Sequence, residues 1–180
     1  GYYAKDKGIK ELQEEMLEYK SWGIQAVKMK VGGASMKEDA QRVRAVRQVI
    51  GEDTKLMLDA NCAYRFFEAV EFSRMVEEYH PYWFEEPVDA DDYDGYKKVA
   101  AKSAIPIAAG ENEVTRFGFR DLIHTQAISI LNPDAASLGG VTEFMKVASY
   151  ADANGIVMSP HGQQQIHVHL DCGVPNVNFA

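Results

Sequence analysis

The chain has 180 residues, 46% of them hydrophobic and 26% charged, with a formal net charge of −8, a composition ordinary for a globular domain. The acidic balance argues against a nucleic-acid partner, whose phosphates need a basic face, but leaves room for a small anion beside a bound cation. No apolar stretch reaches the roughly 18 residues of a membrane span, the opening Gly1-Tyr2-Tyr3-Ala4-Lys5-Asp6-Lys7 has no signal-peptide core, and Cys62 and Cys172 are too few for a disulfide framework, so a cytoplasmic setting is expected.

In chain order, Leu12, Met16 and Tyr19 share one face of a helix over residues 10–19 that Gly23 stops, and residues 26–31 read as a strand closed by Gly32-Gly33. A capping box, Ser35-x-x-Glu38, opens a helix with the apolar stripe Val43, Val46, Val49 and Ile50. Strand 55–59, a helix over 66–79, strand 82–85, a helix over 92–102 and strand 105–111 follow. A helix over 116–125, strand 127–131, a helix over 141–154, strand 156–161 and a polar helix over 163–172 complete the series. A last strand is expected to begin in Val177-Asn178-Phe179-Ala180, giving about seven strands in one partial domain spanning 1–180.

Six polar residues close the apolar runs: Lys30, Asp59, Glu85, Glu111, Asp134 and His161, at steps of 29, 26, 26, 23 and 27 positions. Each step is one strand, one helix and two loops, the repeat of a parallel α/β sheet and most simply of a (β/α) barrel, whose chemistry gathers at the carboxyl ends of its strands. A closed barrel takes about 250 residues, so either the barrel is incomplete or the repeat belongs to a smaller sheet.

Any one strand-end acid alone would read as a solvated group or a helix cap. Three at successive strand ends, Asp59, Glu85 and Glu111, would repel one another unless a cation joined them. An oxygen-only ligand set suits Mg²⁺, with Mn²⁺ as the alternative. Lys28 and Lys30 stand two apart on one strand and point the same way; alone they would read as an ordinary exposed strand face, but side by side at a rim they would depress each other's basicity and leave one a neutral base. His161 and Asp134 end neighbouring strands, and a carboxylate bound to an imidazole fixes its tautomer. Glu86, beside Glu85, breaks the equal spacing and is expected to support the ligand. His167 and His169, two apart in a helix, are expected to be packing or surface groups; His80 and His124 are expected to be solvated.

Lys28-x-Lys30, Asp59-Ala60-Asn61, Trp83-Phe84-Glu85-Glu86-Pro87, Gly110-Glu111-Asn112, Asp134 with Gly139-Gly140, and Pro160-His161-Gly162 form an ordered series along the chain. In this series the chain resembles the enolase superfamily and, within it, the mandelate racemase subgroup. The resemblance implies an incomplete TIM-type (β/α)7β barrel, the C-terminal catalytic domain, lacking strand 1, the end of strand 8 and the capping domain. It also implies Mg²⁺ on Asp59, Glu85 and Glu111, with Lys30 and the His161–Asp134 dyad as catalytic groups. Lys28 would neutralise the substrate carboxylate and depress the pKa of Lys30, and Asn61 would hydrogen-bond the substrate.

The implied reaction is removal of the proton α to a carboxylate through an enediolate. Dehydration of a sugar acid to a 2-keto-3-deoxy acid is favoured over racemisation or epimerisation of a 2-hydroxy acid, by family analogy. A partial, catalytically silent metal or sugar-acid binding protein is the alternative of another class. A homo-oligomer is expected of the full-length protein, and open strand edges of the partial one.

Overall fold

The computed structural model describes residues 1–5 and 7–178. Among the described residues six short strands alternate with helices. They group into two compact units, residues 1–89 with 102–105 and residues 90–101 with 106–180. Within each unit three successive strands pair in parallel.

In the first unit α1 (Ile9–Ser21) precedes β1 (Ala26–Lys30), α2 (Met36–Ile50), β2 (Lys55–Asp59), α3 (Phe66–Val76) and β3 (Trp83–Glu85). The expected stripe of α2 faces inward, with Val43, Val46 and Ile50 buried. Of the expected capping box the Ser35 half forms, its Oγ accepting from the Glu38 amide at 3.3 Å. The core is an aromatic cluster: Tyr64 stacks on Phe72 with centroids 5.3 Å apart, and Phe72 meets Phe84 at 5.8 Å. Burial of side chains this size contributes about 1.5–3 kcal/mol each. The helix expected over 66–79 ends earlier, its last turn tightening into a 3-10 turn over Glu77–Tyr79.

Two buried cations in α2 join the elements of this unit. Arg47 donates to the carbonyls of Gly51 at 2.6 Å, Thr54 at 2.7 Å and Tyr79 at 2.9 Å, satisfying loop acceptors that burial would otherwise leave unpaired. Arg42 donates to the Lys30 carbonyl at 2.9 Å and to Asp39 at 2.8 Å. Asp39 also accepts from the Gly32 amide at 2.8 Å, so the turn after Lys30 is tied to the start of α2.

In the second unit α4 (Tyr93–Ala100), β4 (Ile107–Ala109), α5 (Arg116–His124), β5 (Ile130–Leu131), α6 (Ala135–Leu138), α7 (Val141–Ala153), β6 (Val157–Met158) and α8 (Gln164–Asp171) follow. Phe119, Leu122, Phe144, Val147 and Ala151 supply its core. Its strands are shorter than expected. Pro106 cannot donate to a ladder, and Gly110, at φ 134°, turns the chain before Glu111. The short helix α6 has no counterpart among the expected elements. An isolated parallel bridge pairs Met158 with Val177, the residue at which a last strand is expected to begin; Phe179 and Ala180 lie outside the described residues. Among the described residues no helix is long and apolar enough to cross a membrane.

Candidate active site

The strand ends of the first unit are aligned by pairing. Lys30 lies opposite Asp59, and Asp59 opposite Glu85, in one continuous register. Within β1 Val27 and Met29 are buried while Lys28 and Lys30 are half-buried, so the period-2 pleat puts both lysines on one side. There they meet the acids. Lys28 Nζ lies 2.8 and 2.9 Å from the two Glu85 oxygens and 3.4 Å from Asp59 Oδ2. Lys30 Nζ bonds Asp59 Oδ2 and the Asn61 side-chain oxygen.

Asp59 and Glu85 are 0% exposed. Burial raises the Glu85 carboxyl above the ordinary carboxylate range; Lys28 opposes the shift and the neighbouring Asp59 adds to it. The Trp83 indole N–H donates to Glu85 Oε2 at 2.9 Å, which fixes the rotation of that carboxylate. The Asn61 amide donates to Asp59 Oδ1 at 3.0 Å. Asn61 and Cys62 take left-handed backbone angles, φ 43° and 63°, which brings the Asn61 side chain back to Lys30. A paired run of non-glycine residues in this region is held by its surroundings at some energetic cost.

Glu86 is also buried, but it turns away from this line. Its φ of 41° and the following Pro87 end the strand, the Cys62 amide donates to its carbonyl at 2.9 Å, and the Cys62 thiol meets Glu86 Oε2 at 3.5 Å.

In the second unit the polar groups stand beyond the strands. Glu111 follows the Gly110 turn, where a Cβ would come within 2.9 Å of the Phe119 ring and 3.2 Å of the Asn132 amide nitrogen. Asp134 is the N-cap of α6, Oδ1 accepting from the Ala136 amide at 2.8 Å. Its Oδ2 lies 3.4 Å from His161 Nδ1, while His161 Nε2 lies 3.5 Å from Glu111 Oε2. His161 thus stands between two carboxylates with 40% of its side chain exposed. These separations are loose for hydrogen bonds, as is common for proton-transfer groups without a ligand.

Asp59, Glu85 and Glu111 can each offer a carboxylate oxygen to a metal ion. The set is all oxygen, the donor type of Mg²⁺ and Mn²⁺. The two buried acids of the first unit already draw lysine ammonium groups onto themselves, as an anionic pair that requires a cation would. The donor chemistry therefore fits a divalent ion.

His167, expected to be a packing or surface residue, is 1% exposed and carries two hydrogen bonds to the backbone. His169, His80 and His124 are exposed.

A family model described as enolase C-terminal domain-like matches residues 11–180. Arabinonate dehydratase of Saccharolobus solfataricus is 37% identical over 161 residues, covering 89% of this chain and 43% of that enzyme. Two solved structures superpose closely. A racemase from Streptomyces coelicolor A3(2) with bound magnesium has a TM-score of 0.94 at 31% identity, over 99% of this chain and 51% of that one. L-talarate dehydratase from Polaromonas sp. JS666, complexed with Mg and L-glucarate, has a TM-score of 0.92 at 34% identity, again over 99% and 51%. The chain spans about half the length of the relatives it matches.

Proposed function

Because the chain belongs to the enolase C-terminal domain-like family of the enolase superfamily, with mandelate racemase-type enzymes as its structural neighbours, we propose that it forms the catalytic part of a Mg²⁺-dependent enzyme that removes the proton α to the carboxylate of a sugar acid. Dehydration to a 2-keto-3-deoxy acid is the reaction we favour. The observation that carries the reading is the register-aligned trio Lys30, Asp59 and Glu85 in the same chain as a His161–Asp134 pair.

In this reading Asp59, Glu85 and Glu111 hold the ion. When bound, it supplies positive charge to the substrate carboxylate and to the negative charge that grows there as the α-proton leaves.

The remaining roles fall to side chains. Lys30 or His161, according to the configuration at the α-carbon, accepts the α-proton on Nζ or a ring nitrogen. Lys28 holds positive charge beside the buried acids, and Asn61, fixed by its left-handed backbone, offers its amide to substrate hydroxyls. Asp134 orients His161 through Nδ1, leaving Nε2 to exchange protons. Where the acid carries a β-hydroxyl, His161 gives that oxygen a proton as the C–O bond breaks, so water leaves and an enol remains that ketonises. Reprotonation at the α-carbon would instead give racemisation or epimerisation, a second reading favoured by the solved racemase neighbour.

Exchange of the α-proton in D₂O, measured by NMR over a panel of sugar acids with Mg²⁺, tests both. Exchange abolished by His161→Asn or Lys30→Ala supports the enzyme, and a 2-keto-3-deoxy product identifies dehydration. Absence of exchange with every acid, while Mg²⁺ and an acid still bind, would establish a silent binding protein.

A further inference from the structure

We propose that His167 is a positioning residue: as a neutral Nδ1–H imidazole it clamps the turn that follows His161 to the helix start that follows Asp134, and so sets the separation of the two. The proposal rests on the reading above only in taking His161 and Asp134 as a working pair.

The protonation state follows from the partners. Nδ1 lies 2.5 Å from the Gly162 carbonyl oxygen, which can only accept, so Nδ1 carries the proton. Nε2 receives the Ala135 amide at 3.0 Å and must present its lone pair. One buried ring therefore spends both nitrogens on backbone groups, each adjacent in sequence to one member of the pair. The ring also stacks on Phe144 of α7, with centroids 5.6 Å apart and planes inclined by 22°, which fixes its plane.

The turn it grips is an unusual one. Gly162 and Gln163 are both left-handed, φ 61° and 46°, so the chain doubles back and returns His167 to the carbonyl it passed five residues earlier. At Gly162 a Cβ would stand 3.2 Å from Asp134 Oδ2. The turn thus packs directly against the carboxylate that faces His161. The His161 amide bonds the Pro133 carbonyl at 3.1 Å, a backbone link that aligns the two segments but leaves the side chains free. The imidazole clamp supplies the remaining constraint. At 40% exposure His161 has little packing of its own to hold it.

The test compares His167→Phe, which keeps a ring against Phe144 and loses both hydrogen bonds, with His167→Gln, whose amide offers one donor and one acceptor. Both are made in the protein supplied with Mg²⁺ and a sugar acid that it turns over. The Phe variant is expected to lose about 10–100-fold in kcat with KM within about twofold, and the Gln variant to recover most of the loss. Long-range ¹H–¹⁵N spectra should show His167 protonated on Nδ1 and bare on Nε2, and in the Phe variant the His161 ring signals should move together with the Ala135 and Gly162 amides.

A Phe variant with wild-type kcat, or one whose His161 ring signals stay in place, overturns the proposal. If the Phe variant does not fold, His167→Asn, whose shorter amide can serve Gly162 but cannot span to Ala135 as well, is read by the same two criteria. Failure of the proton-abstraction reading itself would appear separately, as no exchange in the unmodified protein, and the spectra would then decide the clamp alone.

Discussion

The acids of the first unit and the histidine of the second are positioned by different means. Asp59 and Glu85 are the last residues of paired strands, so the register that matches Leu58 with Phe84 also matches them. Both carboxylates are fully buried, with lysine ammonium groups against them. Asp134 and His161 each lie three residues past their strands, where a helix cap, two left-handed residues and a buried imidazole place them. Groups built into a sheet register are part of the core, so changing them should first cost stability. Groups carried on turns can shift without unfolding the strands beneath, so changing those should first cost rate.

The largest expected effect lies in the first unit. Lys28→Met removes the ammonium group that spans both buried carboxylates. Removing one partner of a buried pair costs about 3–5 kcal/mol; with Lys28 34% exposed, about 2–3 kcal/mol is expected in metal-free urea denaturation. Mg²⁺ should restore much of that loss, since binding to the folded state alone stabilises it. A loss that is the same with and without Mg²⁺ would separate the acid pair from metal binding.

The same pair predicts a pH dependence. The folded-state Glu85 carboxyl lies above its unfolded value, mainly through burial. Such a group favours folding fully below the unfolded value, about 4.3, and that contribution is lost as pH rises through the folded value. Metal-free protein should therefore lose stability on this account above about pH 4. Saturating Mg²⁺, which favours the ionised carboxylate, should flatten or reverse the slope. Thermal melts across pH with EDTA or Mg²⁺ measure both.

Two glycines sharpen the contrast between core and turn. Gly110→Ala meets the Phe119 ring and the Asn132 backbone at φ 134°, and should cost about 2–3 kcal/mol of stability through overpacking and strain. Gly162→Ala at φ 61° meets, among the described residues, only Asp134 Oδ2, at 3.2 Å, and should cost about 1 kcal/mol. The ranking should invert for catalysis: α-proton exchange should fall more in the Gly162 variant, relative to its stability loss, than in the Gly110 variant. Equal ratios would mean that the turn does not set the histidine's position.

What is legible in the sequence follows the same division. Strand β2 occupies the expected residues 55–59, because a short apolar run, Leu56-Met57-Leu58, between a lysine and a polar terminus marks its bounds without further information. The series Lys30, Asp59, Glu85 can be read for that reason. Helix α6 cannot: four residues give no periodicity, and its cap is Asp134, a residue already accounted for as a strand-end acid. Arg47, lying between Val46 and Ile50 of an apolar stripe, gives no local sign that the carbonyls of Gly51 and Thr54 on one side and of Tyr79 and His80 on the other converge on it. His167 escapes because residues two apart on a helix do not share a face. That rule excludes a joint site with His169 but says nothing of partners such as Ala135, 32 positions away. Patterns of period two or 3.6 report which face is buried, while hydrogen bonds closed across long loops leave no comparable trace.

The smallest expected effect tests whether charge in the second unit is as costly as in the first. Both oxygens of Asp171, at the end of α8, are shielded from solvent without a hydrogen-bond partner among the described residues, and burial, the largest cause, raises its carboxyl above the ordinary range. Here too the folded-state value exceeds the unfolded one, so the contribution to stability present below about pH 4 is lost as pH rises through the folded value. Asp171→Asn removes that ionisation and should raise the melting temperature at neutral pH by about 1–2 °C, the partial exposure of the side chain keeping the gain small. Below the unfolded value, at about pH 3, variant and parent should melt together. A gain that persists unchanged at low pH would mean that the asparagine had found a new hydrogen bond rather than relieved a buried charge.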